Sequence, residues 1–145
     1  MKKLILILLF IQLVSFGQNE NTKKNEKESL IPFATIEDVP LFPGCETVPK
    51  SKRRDCFQNK MNGHIAQNFI YPEFAQKNGI QGRVFVQFII EKDGNISEIR
   101  SRGPHGSLEK AAESIIEKLP KMTPGYVNGL PVRVPFSIPI TFRLI

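Results

Sequence analysis

The chain has 145 residues, with 20 Lys plus Arg against 14 Asp plus Glu, two Cys, two His and no Trp. That length suits one modest domain with a tail, and excludes large multidomain enzymes and polytopic membrane proteins. It carries no phosphate-binding G-x-x-x-x-G-K-[ST] loop, no G-x-G-x-x-G, no H-E-x-x-H and no G-x-S-x-G, and its His and Cys spacings match no zinc site, so neither a cofactor nor a metal is expected.

Residues 1–17 read as a secretory signal. Lys2 and Lys3 give a basic start, Leu4 to Phe16 run almost wholly apolar for 13 positions, and Ser15 and Gly17 supply small residues for cleavage before Gln18. A membrane-spanning helix needs about 20 apolar residues, so export with cleavage is expected ahead of an uncleaved inner-membrane anchor. The mature chain then keeps 18 basic against 14 acidic residues, a net of +4. The basic cluster Lys50, Lys52, Arg53 and Arg54 has no interleaved aromatics, so it reads as a solvated loop and no nucleic-acid partner is expected.

Residues 18–35 read as a polar tether, whose first twelve residues, Gln18 to Ser29, hold no apolar side chain and cannot offset their ordering entropy. Residues 36–61 read as an irregular strap with the cysteine pair; the stretch from Leu30 to Pro49, with isolated apolar residues and four prolines, is expected to lie as a strap on the domain. Cys45 and Cys56 sit there as an even pair in an oxidising compartment. A disulfide between them would be worth roughly 2–3 kcal/mol in the chain-entropy model. The rival is a reactive Cys56 thiol at a helix N-terminus, with Asp55 and Gln58 as a capping box and His64 as base. Eight helical residues put that base about 12 Å away, too far for proton transfer.

From Asp55 the pattern becomes regular. Phe57, Met61, Ile65 and Phe69 recur every fourth residue, the stripe of a helix. Pro72 suits the start of a short helix over Glu73–Asn78, with Gly79 as its stop. Arg83 to Glu91 forms a strand apolar on both faces and therefore central. Lys92-Asp93-Gly94-Asn95 makes a hairpin turn, and the charged strand Ile96–Arg102 fits a sheet edge. Ser107 is expected to cap a helix striped by Leu108, Ala111 or Ala112, Ile115 and Leu119, which Pro120 ends.

The closing strand alternates from Val132 to Leu144, seven apolar positions against Arg133, Pro135, Ser137, Pro139, Thr141 and Arg143. Pro135 and Pro139 share a parity, so both missing donors fall on one edge, which must be the outer one. A right-handed crossover then gives an α+β fold: helix-β-β-α-β, two layers, a three-stranded antiparallel sheet of order 2-1-3 with the helices on one face. The open edge left by the last strand is a template for another chain's strand, unless its prolines are there to prevent pairing; the physics leaves those two readings even.

Tyr71-Pro72-Glu73-Phe74-Ala75, Gly79-Ile80-Gln81-Gly82-Arg83-Val84, Leu119-Pro120-Lys121-Met122-Thr123-Pro124-Gly125 and the Asn128–Phe142 segment resemble the TonB C-terminal domain family, over roughly residues 62–145. Met122 stands where many relatives carry Trp, which softens that wall of the core. The resemblance implies a non-enzymatic periplasmic module that captures a short extended segment, the TonB box, of outer-membrane TonB-dependent transporters by pairing it along the last strand. Carried over, the pairing edge is Arg133, Ser137, Thr141 and Arg143, flanked by the Tyr71-Pro72 corner. The same edge could instead receive a second copy of this chain. Family transducers are membrane-anchored and reach out on a long Pro-rich linker, whereas the twelve residues Gln18 to Ser29 hold no proline and span at most about 42 Å. The alternatives are an exported interaction or assembly protein using the same edge without energy transduction and, last, a thiol enzyme at Cys56.

Overall fold

The computed structural model describes residues 29–145, so the signal segment and most of the tether lie outside the described residues. A single turn of 3-10 helix at Lys50–Lys52 leads into α1 (Arg53–Asn68), followed by α2 (Glu73–Lys77), β1 (Gly82–Ile90), β2 (Ile96–Arg102), α3 (Gly106–Glu117), β3 (Gly125–Val127), β4 (Leu130–Val132) and β5 (Val134–Phe142). The main sheet has the order β2-β1-β5 and both pairings are antiparallel, which is the expected 2-1-3 topology.

The period-2 pattern of β1 places Val84, Val86, Phe88 and Ile90 wholly inside, against Phe57 and Met61 of α1 and Leu108, Ala112, Ile115 and Ile116 of α3. On β5, Val134, Phe136, Ile138, Ile140 and Phe142 are buried and the intervening residues are not. The aromatic centre is Phe136, with ring centroids 5.1 Å from Phe57, 5.1 Å from Phe33 and 5.7 Å from Phe88. Both long helices thus lie on one face of the sheet and the other face is open.

Several local expectations are corrected. Asp55 does not cap α1; it lies inside the first turn, and the helix starts at Arg53 as a continuation of the 3-10 turn. Ser107 does not cap α3 either. His105 does, its Nδ1 accepting from the Ser107 N–H at 3.1 Å. The closing strand is shorter than its alternation and shares its first residue with another element. Val132 ends β4, which forms a hairpin with β3 through Asn128 and Gly129, both at positive φ; the chain joins β1 only from Val134 and leaves it after Phe142. Asn-Gly with two left-handed residues is the chemistry of a two-residue hairpin; strands of three residues were too short to show a period.

The β1–β2 turn is fixed by Asp93 and Gly94. The Asn95 N–H donates to Asp93 Oδ1 at 2.9 Å, which holds the Asp93 carboxyl below its ordinary pKa. Gly94 has φ +85°, and a Cβ there would sit 1.7 Å from the Met122 carbonyl oxygen, so no other residue fits.

Candidate functional site

The site is built on the outer edge of β5, the strand at one side of the sheet. Its register with β1 is regular along its whole length, from Phe142 opposite Gly82 to Val134 opposite Ile90. Pro135 lies opposite Ile89, Ser137 opposite Gln87, Pro139 opposite Phe85 and Thr141 opposite Arg83, so these side chains share the open face. Among the described residues no strand pairs with β5 on its far side.

Of the residues expected on the pairing edge, Ser137 and Thr141 lie within β5 and are exposed, and Arg143 is exposed one residue past its end. Arg133 is different. It precedes β5, and its backbone is already engaged: Leu30 pairs with it in parallel register and the Ile31 N–H donates to its carbonyl at 3.0 Å. Its side chain is engaged as well, with Nε and one Nη donating to the two Glu91 oxygens at 2.9 Å each, and that Nη donating to Glu98 at 3.2 Å. These hydrogen bonds hold the Glu91 carboxyl below its ordinary pKa, against the opposing effect of burial. Arg133 is therefore a brace at the start of the strand. It is no open docking position.

Tyr71 and Pro72 stand at the other end. Tyr71 donates its hydroxyl proton to the Ile80 carbonyl and sets its ring edge-on to Phe142, 5.7 Å between centroids; Pro72 caps α2. Phe69 sits 4.9 Å from Phe142, and beside it Ile70 is 67% exposed. The corner thus leaves an apolar patch where β5 ends.

The strap reaches the start of this edge. Leu30 bridges to Arg133, and Phe33 packs between Phe57 and Phe136. Arg54 donates to the carbonyls of Phe33 and Ile36 and lies over the Phe33 ring, Arg53 donates to the Val48 carbonyl, and Lys50 pairs with Glu37 and Asp38. The basic cluster read as a solvated loop is mostly a set of strap clamps. Cys45 and Cys56 are joined by a disulfide, Cα atoms 6.0 Å apart, which ties the strap to α1 and leaves neither cysteine as a free thiol. A nucleophilic Cys56 would first need this bond to be reduced.

On the open face, Arg100 and Arg102 of β2 lie opposite Gln87 and Phe85. A hollow of about 510 Å³ opens there over Ile89, between Leu30, Arg100, Arg133 and Pro135. Among the described residues no group of three or more His, Cys, Asp or Glu side chains could hold a metal ion, and no helix is long and apolar enough to cross a membrane. What this arrangement offers is backbone pairing on a fixed strand edge.

Residues 67–144 match the family described as the Gram-negative bacterial TonB protein C-terminal. Among solved structures, the chain is similar to two NMR solution structures of the Helicobacter pylori TonB C-terminal domain. For residues 179–285 of that protein the identity is 28%, covering 69% of this chain and 87% of that one, with a TM-score of 0.49. For residues 194–285 it is 29%, covering 60% and 92%, with a TM-score of 0.45. No curated protein matches the sequence. The family match spans more than half of the chain, including α2, the whole three-stranded sheet and the Tyr71-Pro72 corner, and this chain belongs to the TonB C-terminal domain family, a non-enzymatic, transport-related group.

Proposed function

We propose that this chain is a periplasmic capture module of the TonB type, pairing the outer edge of β5 with an extended segment, the TonB box, of an outer-membrane TonB-dependent transporter. The observation that carries this is the state of β5. It is a nine-residue strand, regular in register, locked to the core by every second side chain and unpaired on its far side among the described residues. Such an edge needs no rearrangement before it accepts a strand. By parity the outward backbone groups belong to Pro135, Ser137, Pro139, Thr141 and Arg143, the same set whose Arg133 member already gives its carbonyl to Ile31. The apolar corner at Phe69 and Ile70, beside Tyr71-Pro72, supports contact with the segment's apolar side chains. In this reading residues 1–17 direct export and are removed, and a second copy of the chain is the competing occupant of the same edge.

Main-chain pairing needs donors, and the two prolines have already removed two. Thr141→Pro should delete one more outward N–H while leaving the ladder to β1 intact, weakening binding of transporter-derived peptides by about fivefold for one bond of about 1 kcal/mol. Ser137→Ala keeps its backbone donor and should bind like wild type. Isothermal titration of both variants decides the matter: a folded Thr141→Pro protein that binds as tightly as wild type would place the site elsewhere.

A further inference from the structure

We infer that the first strap residues, Leu30 to Phe33, are a register stop that confines a captured segment to Ser137–Arg143, so that the partner this edge fits is a short segment of about seven residues. This rests on the edge-capture reading above and specifies it.

The strap already occupies the first position of the edge. Leu30 lies beside Arg133 in parallel register, and the Ile31 N–H takes the Arg133 carbonyl. Continuing that register would bring Pro32 level with Pro135, and two facing prolines have no N–H to exchange. Pairing therefore ends there. The strap turns instead, with the N–H groups of Thr35 and Ile36 both donating to the Pro32 carbonyl. The turn drops Phe33 between Phe57 and Phe136, where it fills the space beside the start of β5. Arg54, through the carbonyls of Phe33 and Ile36, and the Cys45–Cys56 disulfide hold it in place.

A strand entering along β5 thus finds one end closed by chain already paired and packed. The other end is open. There Phe69 and Ile70 are exposed beside Phe142, ready for an apolar side chain of the segment that turns toward α1. Between these limits the outward N–H donors are those of Ser137, Thr141 and Arg143, with Pro139 interrupting them.

The test uses the full chain and a nested series of synthetic peptides of alternating valine and threonine, from about five to about eleven residues. For wild type, amide exchange followed by NMR should slow at Ser137, Thr141 and Arg143 on peptide saturation, and affinity should stop rising at about seven residues. Ile31→Pro removes the donor to the Arg133 carbonyl and should free that position. A peptide of about eleven residues, long enough to reach from Arg143 back to Arg133, should then bind it about fivefold more tightly than a seven-residue one, the equivalent of one ladder bond. If Ile31→Pro does not fold, the wild-type length series and its exchange pattern carry the test alone. Affinity that keeps rising beyond seven residues in wild type, with Ser137 and Thr141 slowed, would overturn the stop and leave capture standing. No slowed exchange anywhere along β5 would overturn the capture reading and the stop with it.

Discussion

The sheet has two edges, and they are finished differently. The β2 edge is seven residues long and irregular: its register with β1 shifts between Gln87 and Ile89, and Glu98 there adopts φ +49°, a left-handed conformation that a side chain adopts at a cost. Arg100 and Arg102 add charge, and α3 lies close along the strand, with Ser101 donating to Glu113 and the Gly103 N–H to Glu109. Bulge, charge and cover are the devices that keep a strand from pairing with strangers. Along its nine residues the β5 edge has no bulge and no charged side chain. It is longer and its register never shifts, and only two prolines and the strap at its start limit it. One edge is protected along its length and the other only rationed, which is what a fold needs if it is to accept one strand at one place.

The largest way to break this comparison is to unseat β5 from the core. Phe136→Ala removes the ring that touches Phe33, Phe57 and Phe88 at once, and should cost about 3–5 kcal/mol in chemical denaturation. Native-state amide exchange should accelerate more in β5 than in β2; equal acceleration would show the two edges to be one cooperative unit. The next effect down concerns the strap. Replacing both Cys45 and Cys56 with Ser should lower stability by roughly 2–3 kcal/mol. Binding of a segment confined to Ser137–Arg143 should stay as it is, because the disulfide holds the closed end of the edge and not the open one. A large loss of affinity in the folded double variant would mean that the strap shapes the binding positions themselves.

How much of this was legible in the sequence follows the range of the interactions involved. The alternation of β1 and β5, the Asp-Gly turn and the proline parity are local patterns, and each led to the right element and to the order β2-β1-β5. The capping errors were also local, but turned on competition. His105 supplied a ring nitrogen to the Ser107 N–H where a serine hydroxyl was the commoner choice, and the 3-10 turn moved the start of α1 ahead of Asp55. What no local pattern could show was the engagement of chain far away in sequence. Arg54 reads as one cation among four until the carbonyls of Phe33 and Ile36 are found in front of it, and Arg133 reads as an edge residue until Ile31, Glu91 and Glu98 surround it. The open stretch of the β5 edge was visible in the alternation; its closed end depended on tertiary contacts.

The smallest expected effect bears on Arg133, which touches both sides of the sheet. The Arg133 guanidinium reaches Glu91 at the end of β1 and Glu98 at the bulge of β2, while its backbone opens the path into β5. Because Arg133 depresses the Glu91 pKa below its usual 4.5, the pair's stabilisation is fully present above that value and is lost as pH falls through the lower, folded one. Solvent reaches both side chains, 18% and 26% exposed, so the contribution is on the order of 0.5–1 kcal/mol. Glu91→Gln should therefore lower stability by about that much at neutral pH and differ little from wild type near pH 3, when both are measured by urea denaturation. In the same variant, exchange should quicken at the first residues of β5 and leave the stretch near Phe142 alone, because the brace acts only where the strap closes the edge. If the quickening instead spread to Thr141, the brace would be setting the geometry of the whole strand, and the separation of a closed end from an open one would be lost.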